Sequence, residues 1–465
     1  MQNDTPPETP IIPNLRCLRQ PIIDNITIKV RKVNPIIEIY RYLLLINIRN
    51  NFTKILKSYS KNISSRDITN IFVRYILLQI AHNRNNIDCL IPYQGNFYSQ
   101  LRKDIINIVI SHPHTQINSV HILPKQRQPN ENIKSKEISI KESTVKNIQN
   151  KFVLDYANDI IKKLKLAQNC NKALFKLFEF IETNHNNKFK YRIMKYYNKN
   201  NVKYNIKINN QLATKIWNIN TKFGFNNDKV LFYPLFTTIR NYKKLINLFG
   251  KNNSNRHTDK QLSNVPLDEI IFCLLLRYKT LNLNTFGLAV PSKVLDMASK
   301  ELNIKTELFA SPLNHHLPQY GSIFRDLEKY FKSWGSFFNI KIKRGHYEVN
   351  PPFDEEIIRL TIKRLIITLE STKKPILILL IIPAWKTKNN YGVYQGYKLL
   401  QEHNHLITFQ IKLKKNEHLY YNYDRDYYMR ACDSYVLILQ NESSQKIFKS
   451  QEKIEKVIDV WKRIK

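Results

Sequence analysis

The stretch "GHYEVNPPF", residues 345–353, sets a strand-forming run, HYEV, against an Asn, two prolines and an aromatic ring. Proline has no N–H to give to a sheet ladder, so the chain must leave the sheet at Asn350. Two successive prolines fix the backbone and remove two donors. What remains is a rigid corner with carbonyl acceptors, one carboxamide and one ring. Directly after it, "DEEIIRLTIKRLIITLE" repeats its apolar residues at helical spacing. Its acids stand in the first turn, where the helix dipole favours them. The corner therefore lies at the carboxyl end of a strand and in front of a helix. Open α/β sheets bind ligands at that position.

The flanking sequence extends the pattern. Upstream, "VPLDEIIFCLLLRYKTLN" reads as a helix that Asn264 can cap, with Pro266 near its start. "PSKVLDMASKELN" is a second helix, "KTELFAS" a strand, "GSIFRDLEKYF" helical and "GSFFNIKI" a strand. Downstream, "PILILLIIP" is a buried strand, and "HLITFQIKL" and "SYVLILQN" are two more, followed by a terminal helix. Strands alternating with helices, then a final strand pair, predict an α/β fold. Its sheet is expected to be mostly parallel with an antiparallel edge.

The chain has 465 residues, with 74 Lys+Arg against 37 Asp+Glu, a net charge of +37. An AT-rich genome, rich in Lys, Asn and Ile codons, accounts for part of that excess. Whatever its origin, such a charge attracts polyanions, and nucleic acid is the leading partner class. Five scattered cysteines with no CxxC suit a reducing compartment and no disulfide framework. The start, "MQNDTPPETP", is not a signal peptide, and the run "PILILLIIPAW" is too short to span a bilayer, so no membrane association is expected.

Residues 1–30 read as a flexible arm. From about 33 to 111, three helical patterns follow, among them "PIIEIYRYLLLINIRNNFTKILK" and "DITNIFVRYILLQIAH". A polar, proline-bearing linker occupies 112–135, and helical patterns resume at 137–184. Residues 188–250 mix basic, aromatic and β-branched residues and assign themselves to no element; packing of a small sheet is the default for "KYRIMKYYNKNNVKYNIKI".

The corner suits one chemistry. An Asn carboxamide and a proline carbonyl can together accept both hydrogens of a planar amino group, and the following ring can stack on the base that bears it. Holding both N–H bonds directs the nitrogen lone pair outward, toward a methyl donor. That suits transfer from S-adenosylmethionine to the exocyclic amine of adenine or to a side-chain amide, and Asn-Pro-Pro-aromatic resembles the motif of amino-methyltransferases. The usual glycine-rich cofactor loop is absent: the chain has nine glycines and no GxG pair. The cofactor stretch is expected at "FASPLN", 309–314, with Ser311 and Asn314 as polar handles. His315 and His316 read as turn residues, "EHNH" at 402–405 as surface, and no metal site is expected.

In order, "LFASPLN", "QYGSIFRDLEKYFKSWGSFF", "HYEVNPPFDEEI", "IIPAW" and "VLILQN" resemble the catalytic region of the phosphorylated C-terminal-domain interacting factor family, cap-specific adenosine N6-methyltransferases. The resemblance covers about 265–442. It implies a Rossmann-type methyltransferase domain at 256–465, preceded by a mainly helical basic domain at 31–255 that is the RNA- and cap-binding candidate. It implies S-adenosylmethionine as donor and capped mRNA as partner, with methyl transfer to N6 of the adenosine beside the 7-methylguanosine cap. Carried over residue by residue, Asn350, Pro351, Pro352 and Phe353 form the target-amine pocket, with Asn350 also at the cofactor. Ala310, Ser311, Pro312 and Asn314 lie at the cofactor; Glu355, Trp385 and Lys386 lie at the substrate. Animal members begin with a WW domain, which needs two tryptophans about twenty residues apart. Here the first tryptophan is Trp217, so WW-mediated binding to the polymerase tail is not expected. A monomer inside the cell is expected, nuclear in a cellular organism and cytoplasmic in a virus. Methylation of internal RNA or DNA adenine, methylation of a glutamine amide, and a non-catalytic nucleic-acid-binding subunit are the alternatives.

Overall fold

A computed structural model of the protein describes residues 33–59, 190–222, 234–253, 266–281, 288–384, 394–423 and 426–464, with helical positions inside 68–78 and 172–181. The expected arm at 1–30, the linker at 112–135, the cap Asn264 and the substrate residues Trp385 and Lys386 lie outside the described residues. Residues 33–465 form one compact unit.

In chain order the elements are α1 (Pro35–Tyr59), β1 (Tyr191–Tyr197), β2 (Asn201–Ile208), α2 (Asn210–Lys222), β3 (Leu235–Thr238), α3 (Ile239–Asn253) and α4 (Leu267–Leu281). There follow β4 (Leu288–Ala289), α5 (Ser292–Leu302), β5 (Thr306–Glu307), β6 (Gln319–Tyr320), β7 (Gly345–Val349), α6 (Glu355–Ser371), β8 (Ile376–Pro383), α7 (Tyr394–Glu402) and β9 (Ile407–Leu413). The last are β10 (Tyr420–Asn422), β11 (Tyr427–Met429), β12 (Ser434–Gln440) and α8 (Gln451–Arg463).

The main sheet has the order β6-β5-β7-β8-β12-β9. The pairs β5–β6, β5–β7 and β7–β8 are parallel, while β12 is antiparallel to both of its neighbours. The fold is thus mixed α/β with a mostly parallel sheet. The expected antiparallel edge is corrected in one respect: β12 is inserted one strand in, and β9 forms the edge. Strand β8 shows why the sheet is buried on both sides. Leu377, Leu379 and Ile381 face a core shared with α5 and α8; Ile376, Ile378, Leu380 and Ile382 face another shared with α6 and α7. The side-chain period of two sends alternate residues of one apolar run into the two helical layers.

Two local readings differ from the outcome. "GSFFNIKI" forms turns and no strand: Asn339 and Ile340 both donate backbone N–H groups to Ser336 O. Of "KTELFAS", only Thr306 and Glu307 pair as strand, because the chain then bends toward Ala310. The unassigned region 188–250 holds an antiparallel sheet, β1-β2-β3, flanked by α2 and α3, so the basic half is less purely helical than its sequence suggested.

A third core joins α1, α4 and this small sheet to Phe324, Tyr330 and Phe331. Inside it, Arg277 donates to both oxygens of Glu38 (3.0 and 2.7 Å) and Arg41 donates to Glu38 at 2.5 Å, while Arg277 also reaches the exposed Asp326 (2.6 and 2.7 Å). Buried charges persist when paired in this way. Among the described residues, no helix is long and apolar enough to cross a membrane.

Candidate active site

At the carboxyl edge of the main sheet, the two stretches singled out in the sequence emerge side by side. Strands β5 and β7 pair Glu307 with Glu348. Just beyond, the Leu308 N–H donates to Glu348 O at 2.9 Å, so "ASPLN" and "NPPF" leave adjacent strands at the same edge. On the far side of β7, Val349 pairs with Leu380 of β8, whose edge continues to Ala384.

The corner is built as its composition dictates. Pro351 is buried, and Pro352 and Phe353 are half-buried. The Pro352 carbonyl accepts the Asp354 N–H at 2.7 Å, which leaves the Pro351 carbonyl as the proline acceptor beside Asn350. Asp354 caps α6 by accepting from Glu356 N and Ile357 N at 3.2 and 3.3 Å. Phe353 sits edge-on to Tyr420, with centroids 5.7 Å apart and planes at 84°. Tyr420 is held by Ser434 Oγ at 2.7 Å and by Trp461. The Asn350 Oδ1 atom is buried and has no hydrogen-bond partner. A buried acceptor left unmade costs about 1–3 kcal/mol, so this atom marks a place where a donor belongs.

The 310–314 loop shapes itself. Ser311 Oγ donates to Asn314 Oδ1 (2.8 Å) and accepts from the N–H groups of Leu313 and Asn314. Pro312 is buried, and Ala310 donates its N–H to Gly321 O at 2.9 Å. Gly321 must lack a side chain, since a Cβ there would lie 2.8 Å from Leu308 O and 2.9 Å from Ile340 Cδ1. Glu355 lies half-buried in the first turn of α6, next to the corner.

Several residues of this edge went unread in the sequence. Glu307 and Glu348 are both buried and share one face of the sheet, so burial pushes both carboxyls up and mutual repulsion raises Glu348 further. Glu307 Oε1 accepts from His316 N and Leu317 N, each at 2.6 Å, and Lys244 lies near it. Two backbone donors and Lys244 favour a carboxylate at Glu307, while burial and Glu307 both oppose one at Glu348. Lys244 of α3 donates to Leu313 O (3.2 Å) and to His315 O, and burial lowers its pKa to about 8. The sequence reads His315 as a plain turn residue. Instead it is buried, stacked on Tyr320 with centroids 3.9 Å apart, and donates from Nδ1 to Ser311 O; burial lowers it to about 3. The available signal was an acid inside each apolar strand, in "TELF" and "YEVN". Behind the loop, Glu328 accepts from Tyr278 and Phe324 N at 2.5 Å, and its burial lifts the carboxyl to about 7. Elsewhere, the two histidines of "EHNH" converge on one acid. His403 Nδ1 and His405 Nε2 stand 2.8 and 3.7 Å from Glu370 Oε1, all three residues at least partly exposed.

The family model described as "Phosphorylated CTD interacting factor 1 WW domain" matches residues 244–423. The chain is 28% identical over 192 residues to the mRNA (2′-O-methyladenosine-N(6)-)-methyltransferase of Homo sapiens, a match covering 37% of this chain and 26% of that protein. The protein of the same name from Mus musculus matches at 28% over 191 residues, covering 37% and 25%. The matched stretch spans about a quarter of the length of these relatives.

Proposed function

We propose that this chain is a cap-specific adenosine N6-methyltransferase, transferring methyl from S-adenosylmethionine to N6 of the adenosine beside a 7-methylguanosine cap. The observation that carries the proposal is the buried, unpartnered Asn350 Oδ1 at the mouth of the Asn-Pro-Pro-Phe corner. Similarity to curated mRNA methyltransferases supports it. So does the sheet order, in which one antiparallel strand is inserted beside the last parallel one, as in a Rossmann-type methyltransferase domain.

In this reading Asn350 Oδ1 and the Pro351 carbonyl accept the two N6 hydrogens, and Pro352 and Phe353 complete the pocket against the base. S-adenosylmethionine, when bound, supplies an electrophilic methyl group. The carboxyl-edge loop Ala310–Asn314 and Asn350 hold it, with Lys244 and Glu307 positioning that loop. Glu355, Trp385 and Lys386 contact substrate. No general base is required, because the product nitrogen loses its proton to water; catalysis is positioning and electrostatics. Residues 31–255 supply the basic RNA- and cap-binding part, ahead of the methyltransferase part at 256–465.

The matched family description names a WW domain. Its two tryptophans here, Trp334 and Trp385, stand more than twice the WW spacing apart, and the matched residues run through β5, β7 and β8. We therefore take the match as α/β catalytic sequence and assign no WW-mediated polymerase-tail binding. The enzyme acts as an intracellular monomer. The deciding assay incubates the protein with labelled donor and capped or uncapped RNAs beginning with A or G. Label is expected in the capped A-RNA; equal labelling of uncapped RNA assigns internal adenine instead, and no labelling of any RNA refutes the reading.

A further inference from the structure

We infer that the β9–β10 turn and strand β11 form a binding surface for single-stranded RNA on the downstream side of the acceptor nucleotide. The choice of RNA as the polyanion rests on the proposed function; the surface itself rests on the following geometry. Lys412, Lys414, Lys415, Asn416, Arg430 and Asp433 line one groove. Asp433 is already committed: it pairs with Lys412 at 3.2 Å and accepts the Lys415 N–H at 2.9 Å. Among the described residues, no acid pairs with the side chains of Lys414, Lys415 or Arg430. Three exposed cations crowded beside a satisfied ion pair repel one another, and a phosphate backbone relieves that repulsion.

The groove continues into aromatic surface. Tyr428 lies within β11, and Arg430 follows directly after the last residue of that strand, Met429. Tyr428 is 39% exposed and lies across from Tyr421, with ring centroids 5.0 Å apart. Arg240 of α3 donates to the Tyr421 hydroxyl at 3.2 Å, and its guanidinium sits 5.9 Å from the ring centre. Cations that track a backbone, next to rings that stack bases, are what sequence-tolerant single-strand binding requires.

The placement matches the corner. Strand β10 reaches it through Tyr420 and Phe353. The groove opens at the carboxyl edge of β9, three strands from β7 and so about 14 Å across the sheet from it. A strand whose first adenosine enters the corner can run over this surface with its following nucleotides.

The test uses the full chain, the exposed double variant K414E/K415E, and Tyr428→Ala, with thermal melting to check folding. Binding of a short fluorescent single-stranded RNA is measured across a salt series, and methyl transfer to a capped dinucleotide in parallel. The double variant is expected to bind RNA about tenfold or more weakly, with a salt slope lower by about 1.4. Tyr428→Ala is expected to lose about tenfold with its slope unchanged. Transfer to the capped dinucleotide stays within about twofold. Unchanged RNA affinity and slope in K414E/K415E overturn the inference. Should the wild type methylate no RNA while its RNA binding still depends on Lys414 and Lys415, the proposed function falls and the binding surface stands.

Discussion

Arg74 Nε lies 2.5 Å from Asp354 Oδ2, while Oδ1 of the same carboxylate caps α6 through two backbone N–H groups. One side chain therefore fixes the start of the helix behind the corner and binds it to an arginine 280 residues earlier. Asp354→Ala removes cap and ion pair together and should cost about 2 kcal/mol, mostly from the cap. Arg74→Ala should cost about 1 kcal/mol, because the Asp354 carboxylate keeps its two backbone donors when the arginine is removed. Urea unfolding of both variants and the double variant measures the coupling. Equal losses in the two single variants would refute the cap as the larger part.

Asn350→Ala should lower methyl transfer at least a hundredfold while leaving RNA affinity within about twofold. It should also leave the protein no less stable, because it deletes a buried acceptor that has no partner in the free protein. Steady-state kinetics with calorimetric melting checks both halves. Activity within a few-fold of wild type removes Asn350 from the mechanism; a large stability loss would mean that Oδ1 is satisfied.

Glu307 and Glu348 should respond oppositely to substitution. Glu307→Ala strands the N–H groups of His316 and Leu317 and should destabilise by about 2 kcal/mol. Burial and the neighbouring Glu307 carboxylate push the Glu348 carboxyl well up. Its raised pKa makes the native state keep a proton that the unfolded chain releases, so its contribution worsens as pH rises above the ordinary carboxylate range. Glu348→Gln should therefore gain stability relative to wild type on going from pH 5 to pH 8. Denaturant unfolding at the two pH values decides, and a loss that grows with pH counts against the assignment.

Glu328 allows the same test with a defined window. Its carboxyl titrates at about 7 in the fold against an ordinary value of 4.5. Between those values the native state binds the extra proton, so stability falls as pH rises, by roughly 3 kcal/mol in all. The difference in unfolding free energy between wild type and Glu328→Gln should change across pH 4.5–7 and level off above it. A difference that does not change with pH shows that Glu328 is ionised throughout.

The elements that position the corner were legible in the sequence. Strand β7, α6, β8, β12 and α8 follow from apolar period, proline placement and a capping acid, all of which act over a few residues. The same signals misread "GSFFNIKI", where an apolar, β-prone run is consumed in turns that pack Phe337 into the core. Asn350 and its prolines could be named because their chemistry is written in four adjacent residues. That its carboxamide oxygen is buried without a partner is a property of the folded corner. Insertion of β12 between β8 and β9, pairing of Glu307 with Glu348, the reach of Lys244 to the 313–315 carbonyls and the link from Arg74 to Asp354 were decided by tertiary structure alone. Each joins residues far apart in the chain. Local periodicity says which face of an element is apolar, but only packing of the whole chain selects the neighbour that covers it.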